Sequence, residues 1–207
     1  MKEDTRLDGP WDDTSAPRER VLTTQLVNFH ALETAGKLYE WQTRIKSLCE
    51  QYHERWLHYI YDPHYNSGKS ITCEWLEYND LAEEIPGIFT LAEDIMQFVM
   101  SMPKAKCYLF DMPTAMKKEK MSQMYTALEM LKNGFLFDKR YNGKKKRIDR
   151  PGVICFANNL PKLDLMAPDR WQVWYITPDK HLVKYDSQLH PLEYAPSDPD
   201  LQDMFQS

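Results

Sequence analysis

The stretch Tyr61-Asp-Pro-His-Tyr-Asn-Ser-Gly-Lys-Ser70 combines the groups needed to hold a polyphosphate. A short loop of this kind can aim backbone N–H groups and a helix N-terminus at phosphate oxygens. In that reading Asn66, Ser67, Gly68, Lys69 and Ser70 bind nucleotide. Lys69 reaches the β- and γ-phosphates as a point charge, and the Ser70 hydroxyl holds Mg²⁺. The competing reading is an ordinary loop with a chance Gly-Lys-Ser. The general pattern places Gly five residues before Gly68, and Pro63 stands there instead.

Further candidates lie downstream. Asp111 ends the apolar run Tyr108-Leu-Phe and could bind Mg²⁺ through water. The next position, where a second acid often orients the attacking water, is Met112, so no general base is identified. Asn158 follows Val153-Ile-Cys-Phe-Ala157 and suits either a γ-phosphate sensor or a turn. Arg170, in Asp169-Arg-Trp171, suits either an arginine finger acting on a neighbouring subunit or a structural role. Seven basic residues fall within 139–150. Among them Lys139, Arg140, Lys144, Lys145, Lys146 and Arg147 surround Asn142-Gly143, a hairpin-turn signal. Such a tip could contact nucleic-acid phosphates, with Tyr141 stacking on a base. A solvated charge run or a nuclear localisation signal is the alternative.

The elements that would position these residues can be read from periodicity. Residues 36–56 read as an amphipathic helix with Leu38, Trp41, Ile45, Leu48 and Tyr52 on one face. Trp56–Tyr61 reads as a buried strand and Lys69 starts a helix through Leu76. Thr90-Leu-Ala-Glu93 opens another helix as a capping box, with Leu91, Ile95, Phe98 and Val99 inward. Cys107–Phe110, Val153–Ala157 and Trp171–Ile176 are further strands, and Met121, Met124, Tyr125, Leu128 and Leu131 mark a helix. Short strands that are apolar throughout and alternate with helices predict a parallel sheet covered on both faces. Ligands of such sheets bind at the strands' carboxyl ends, where Asp62, Asp111 and Asn158 fall. Residues 1–35 and 186–207 read as irregular.

The chain has 207 residues, 43% hydrophobic and 28% charged, with net charge −5. That is an ordinary globular balance, and it argues against a broadly basic nucleic-acid wrapper. No apolar run approaches the ~18 residues of a membrane span. The polar start MKEDTRLDGPWDD is unlike a signal peptide. Cys49, Cys73, Cys107 and Cys155 are scattered singly, as buried reduced thiols would be. The histidines form no metal-ligand pattern, and no nucleophilic triad is apparent.

Taken in order, several of these pieces resemble the helicase domain of Rep proteins from circular single-stranded DNA viruses, the circovirus and nanovirus grouping. They are Trp41-Gln42, Tyr61-Asp-Pro…Asn-Ser-Gly-Lys-Ser70, Phe110-Asp-Met-Pro113, Asn133-Gly-Phe-Leu-Phe137 with its basic hairpin, Val153-Ile-Cys-Phe-Ala-Asn158 and Asp169-Arg-Trp171. The similarity spans about residues 40–176. It implies an α/β P-loop NTPase of the AAA+ type, a superfamily 3 helicase using ATP and Mg²⁺. It implies Lys69 and Ser70 as Walker A, Asp111 as Walker B, Asn158 as sensor and Arg170 as finger. It also implies a homo-oligomeric, hexameric ring with ATP hydrolysed between subunits, residues 139–147 on single-stranded DNA, and action in the host nucleus. RNA is the other candidate strand, since the superfamily also occurs in RNA viruses. A nucleic-acid-binding module without turnover and an inert remnant are the remaining alternatives. The family loop reads Asp-Pro-x-Gly-Asn-x-Gly-Lys-Ser, whereas Tyr65 replaces its inner Gly here; Asp-Met-Pro-Thr also lacks the Arg that follows the family's Asp-Ile-Pro.

The same resemblance divides the chain. Residues 1–35 correspond to the end of a nuclease domain plus linker, with Lys2 as the lysine of that domain's Tyr-x-x-Lys motif. Its tyrosine would precede Met1, so nicking activity is not expected of this chain. Residues 36–56 form a helical oligomerisation segment, 57–185 the ATPase, and 186–207 a tail.

Overall fold

A computed structural model describes residues 20–51, 53–102, 104–113, 117–138 and 143–187. The elements run α1 (Thr24–Thr34), α2 (Glu40–Glu50), β1 (Leu57–Tyr61), α3 (Lys69–Tyr78), β2 (Glu83–Ile85), α4 (Ala92–Ser101), β3 (Cys107–Asp111) and α5 (Lys118–Lys132). They continue with β4 (Phe135–Asp138), β5 (Lys144–Arg147), β6 (Gly152–Ala157), β7 (Trp171–Ile176) and β8 (Leu182–Lys184). Six strands form one sheet in the order β2-β3-β6-β1-β7-β8, and β4 and β5 form a separate antiparallel hairpin. All neighbours in the large sheet are parallel except β8, which runs antiparallel to β7.

The central strands β1, β3 and β6 are largely apolar because helices cover both faces. Successive side chains of a strand point to opposite faces, so each run divides its residues between two cores. Tyr59, Tyr108, Phe110, Val153 and Cys155 pack with Ile95, Met96 and Val99 of α4 and Tyr125 and Leu128 of α5. Ile60, Leu109, Ile154 and Phe156 pack with Leu26 and Phe29 of α1, Trp41, Ile45 and Leu48 of α2, and Trp75 and Leu76 of α3. The expected parallel α/β sheet is therefore present. All four cysteines are buried and free. Among the described residues no helix is long and apolar enough to cross a membrane.

Several expectations need correction. Residues 1–35 are not wholly irregular, since α1 occupies Thr24–Thr34 behind an N-cap at Thr23. Only Leu26 and Phe29 of that helix are buried, while Val27 and Leu32 are exposed, so it lacks a periodic apolar stripe. The helix expected over 36–56 is confined to Glu40–Glu50, and Tyr52 lies outside the described residues. Trp56 precedes the strand and is 39% exposed. The capping box at Thr90 does not form. Leu91 is the N-cap, no side chain caps the helix, and Leu91 is exposed rather than inward.

The basic hairpin is rooted firmly. Leu136 is buried, and β4 packs on α4 and α5. Gly134 sits at φ +65°, and a Cβ there would come within 2.3 Å of the Ile148 carbonyl oxygen, so only Gly closes this root. Lys132 is fully buried and donates to the Pro151 carbonyl at 2.8 Å, tying α5 to the start of β6. Burial lowers its pKa to about 8.

His58 of β1 is buried and its Nδ1 accepts a hydrogen bond from Trp174 Nε1 at 3.1 Å. Burial first, then the charges of Lys132 and His53, lowers its pKa to about 4. The folded protein binds this proton more weakly than the unfolded chain does. The stability held above pH 6.5 is therefore lost progressively as pH falls toward 4, by on the order of 3 kcal/mol from this group. Denaturant unfolding at pH 7 and pH 4.5 checks this: His58→Gln should flatten that part of the profile.

Candidate functional site

Asp62, Asn158 and Asp111 come from the carboxyl ends of β1, β6 and β3, three consecutive strands of the sheet. β6 lies between β1 and β3, so Asn158 stands between the two acids. The Asp62 N–H donates to the Ala157 carbonyl at 2.8 Å, and Asn158 Nδ2 donates to the Asp62 carbonyl at 2.8 Å. The Met112 N–H donates to the Phe156 carbonyl at 2.8 Å, which ties the end of β3 to β6. These bonds hold the three strand tips together.

The loop from Asp62 to Gly68 turns sharply into α3. Tyr65 (φ 56°), Asn66 (φ 49°) and Gly68 (φ 86°) all take the left-handed conformation. Gly adopts it freely and Asn tolerates it, but Tyr pays about 1–2 kcal/mol for the close approach of Cβ to its own backbone. No side chain caps α3, so its first N–H groups are open to an anion. Gln42 of α2 braces this terminus. Its Oε1 accepts from the Tyr39 N–H at 3.0 Å, and its Nε2 donates to Thr72 Oγ1 at 3.1 Å, which in turn donates to the Gly68 carbonyl at 2.8 Å. Trp41, the other half of the Trp41-Gln42 pair, is wholly buried edge-on to Phe156.

Asp62 is completely buried. Its Oδ2 accepts from Lys69 Nζ at 2.6 Å and from the Ser67 hydroxyl. Its Oδ1 is buried with no hydrogen-bond partner among the described residues. The Lys69 ammonium is therefore held by its own loop, and the buried Ser67 hydroxyl faces Asp62 rather than solvent. Asn66 and Ser70 are exposed.

Asp111 is half-buried. Burial raises its pKa, and the charge of Lys69 opposes that rise, so the two groups sense one another across the site. Asp111 and Asn158 line a cavity of about 350 Å³ together with Glu84, Gly87, Met112 and Pro113. Glu84 is a residue that sequence reasoning missed. It sits in β2, a three-residue strand of sequence Glu-Glu-Ile with no apolar signature, and only the pairing of β2 with β3 brings it to Asp111. Its pKa is pushed up to about 7, first by burial and then by the carboxylates of Glu77, Asp111 and Glu74.

The remaining candidates lie apart. Arg170 precedes β7, whose first residue pairs with Leu57, so it is at the opposite edge of the sheet from Lys69. The length of β1, about 16 Å, separates those edges. Arg170 is 12% exposed and its guanidinium lies 3.3 Å from Glu129. Lys144, Lys145 and Arg147 are exposed on β5 and Lys146 is half-buried. The Arg147 guanidinium lies over the Phe135 ring at 4.7 Å. Lys139, Arg140 and Tyr141 lie outside the described residues, as does Lys2.

Tyr65→Gly should stabilise the fold by about 0.5–1 kcal/mol, because relief of the left-handed strain exceeds the added chain entropy. Chemical denaturation measures this directly, and a loss of stability would mean that the Tyr65 ring contributes more than its backbone costs.

No family model matches the chain. It is similar to Para-Rep C6 of Subterranean clover stunt C6 alphasatellite, 28% identical over 203 aligned positions that cover 82% of this chain and 69% of that protein. Para-Rep C9 of Faba bean necrotic yellows C9 alphasatellite is 29% identical over 140 positions, covering 67% of this chain and 48% of that protein. The master replication protein of Faba bean necrotic yellows virus is 22% identical over 208 positions, covering 82% of this chain and 70% of that protein. The chain thus aligns along most of its length with replication proteins of viral and alphasatellite origin.

Proposed function

We propose that this chain is the ATP-driven helicase portion of a viral replication initiator, a P-loop motor of the AAA+ superfamily 3 type acting on single-stranded DNA. The observation that carries this reading is the convergence of Lys69, Asp111 and Asn158 at one edge of a parallel sheet, beside the uncapped N-terminus of α3. Similarity to viral and alphasatellite replication proteins supports the biological setting.

In this reading a triphosphate lies against the first turn of α3. Its oxygens draw Lys69 away from Asp62, and Asn66, Ser67 and Gly68 supply the surrounding loop. Asn158, braced on the Asp62 carbonyl, reports the γ-phosphate to the loop. Mg²⁺ fits the residues present. Asp111 is a half-buried carboxylate whose acidity burial weakens, and Ser70 offers an exposed hydroxyl. This ion binds few protein ligands and many phosphate and water oxygens, so two such donors suffice. When bound, it screens the charge of the phosphates. Each subunit presents Arg170 at the edge away from its own nucleotide site, where it serves a neighbour's site in a ring. That role requires Arg170 to exchange Glu129 for phosphate. The exposed cations Lys144, Lys145 and Arg147, with Lys146, grip successive phosphates of one strand.

A second reading, strand binding without turnover, draws on the Lys69–Asp62 pair and on Met112 in place of a second acid. Measuring ATP hydrolysis and single-strand binding side by side separates the two. The helicase reading expects hydrolysis stimulated by single-stranded DNA and lowered about 100-fold or more in Lys69→Ala. An unchanged rate in that variant removes the mechanism. Lys144→Ala/Lys145→Ala should weaken single-strand binding and make its logarithmic salt dependence shallower by about 0.7 per lost phosphate contact. Competition between DNA and RNA strands identifies the preferred polymer.

A further inference from the structure

Hydrolysis in the site just proposed needs a group to activate water, and the position after Asp111 does not supply one. Met112 is buried in the core, its backbone N–H bound to Phe156. Its side chain is apolar and its main chain is fixed, so no small movement brings an acid there. The cavity beyond the tips of β3 and β6 has two acidic residues in its lining, Asp111 and Glu84. Asp111 feels the charge of Lys69, and the reading above assigns it to the metal.

We infer that Glu84, from the neighbouring strand β2, is the base that activates the attacking water, in the place that Met112 leaves without an acid. The inference rests on the nucleotide-binding reading above. Three features of placement carry it. β2 pairs in parallel with β3 in the register Glu84↔Leu109, so Glu84 lies on the same face of the sheet as Asp111, two residues behind it in register. The cavity that Glu84 lines also contains Asn158, which is bonded to the phosphate-binding loop through the Asp62 carbonyl. Its neighbour Glu83 is committed elsewhere, 2.8 Å from the Arg20 guanidinium, so of the two adjacent acids Glu84 is the one that reaches the cavity. Gly87, two residues beyond β2, lets the chain pass close to Asp111: a Cβ there would stand 2.9 Å from the Asp111 carbonyl oxygen.

The step balances with water as the sole co-reactant. The water oxygen bonds to the γ-phosphorus while the bond from phosphorus to the β,γ-bridging oxygen breaks. ADP leaves with that electron pair. One water proton passes to the Glu84 carboxylate and from there to solvent. The products are ADP, inorganic phosphate and a proton.

The test compares the full chain with Glu84→Gln and Glu84→Asp. Each is assayed for steady-state ATP hydrolysis and for equilibrium binding of a fluorescent, non-hydrolysable ATP analogue with Mg²⁺. Glu84→Gln should bind the analogue within about threefold of the parent and lose about 10²–10⁴-fold in kcat with KM little changed. Glu84→Asp, which keeps the carboxylate but shortens its reach, should bind equally and retain intermediate turnover, giving a second reading if the Gln variant folds poorly. Turnover of Glu84→Gln within tenfold of the parent overturns the inference, as does parallel loss of analogue binding and turnover in both variants. Failure of the parent chain itself to bind the analogue overturns the nucleotide reading first, so the two failures are distinguishable.

Discussion

The site is organised around one buried ion pair, Lys69 with Asp62. A carboxylate removed entirely from water is tolerated only when its charge is matched and its oxygens are bonded. Here Oδ2 meets both conditions through Lys69 and Ser67, while Oδ1 lacks a partner among the described residues. The pair therefore pulls the loop closed and leaves one unsatisfied acceptor inside it. A polyphosphate bound as proposed would compete with Asp62 for the same ammonium. Under the proposed function, the Lys69–Asp62 contact and phosphate binding would oppose one another through that single ammonium.

Everything that surrounds this pair works to keep it at the sheet edge. β6, which follows β3 in the chain, inserts between β1 and β3, and that order sets Asn158 between Asp62 and Asp111. Gln42 and Thr72 clamp the Gly68 carbonyl, so α2 determines where α3 begins. The opposite edge of the sheet carries Arg170 and the root of the basic hairpin, joined to α5 through Lys132 and Gly134. The proposed function therefore places the phosphate site and the strand-binding cations at opposite ends of the same strands.

Much of this arrangement was legible in the chain. Runs such as Tyr108-Leu-Phe and Val153-Ile-Cys-Phe-Ala157 read as strands because burial on both faces leaves no polar positions in them. The residues at their ends, Asp111 and Asn158, were singled out for the same reason. What escaped notice has equally physical causes. α1 buries only Leu26 and Phe29 and carries exposed Val27 and Leu32, so its pattern has no apolar face. β2 is two glutamates and an isoleucine, too short and polar to read as a strand, and Glu84 was hidden with it. Tyr65 stands where the loop of the resembled family has Gly, and it takes the left-handed conformation that Gly adopts freely, at φ 56°. That Asp62 would occupy Lys69 depended on a fold of the loop that spacing alone does not define.

The most direct measurement is a crystal structure of this chain with Mg²⁺ and a non-hydrolysable ATP analogue. The account predicts the triphosphate against the first turn of α3, with Lys69 turned from Asp62 onto the phosphate oxygens and Asp111, Asn158 and Glu84 around the γ-phosphate. An analogue bound elsewhere, for example in the cavity beside Cys49 and Arg150 at the other edge of the sheet, with Lys69 still on Asp62, would contradict it.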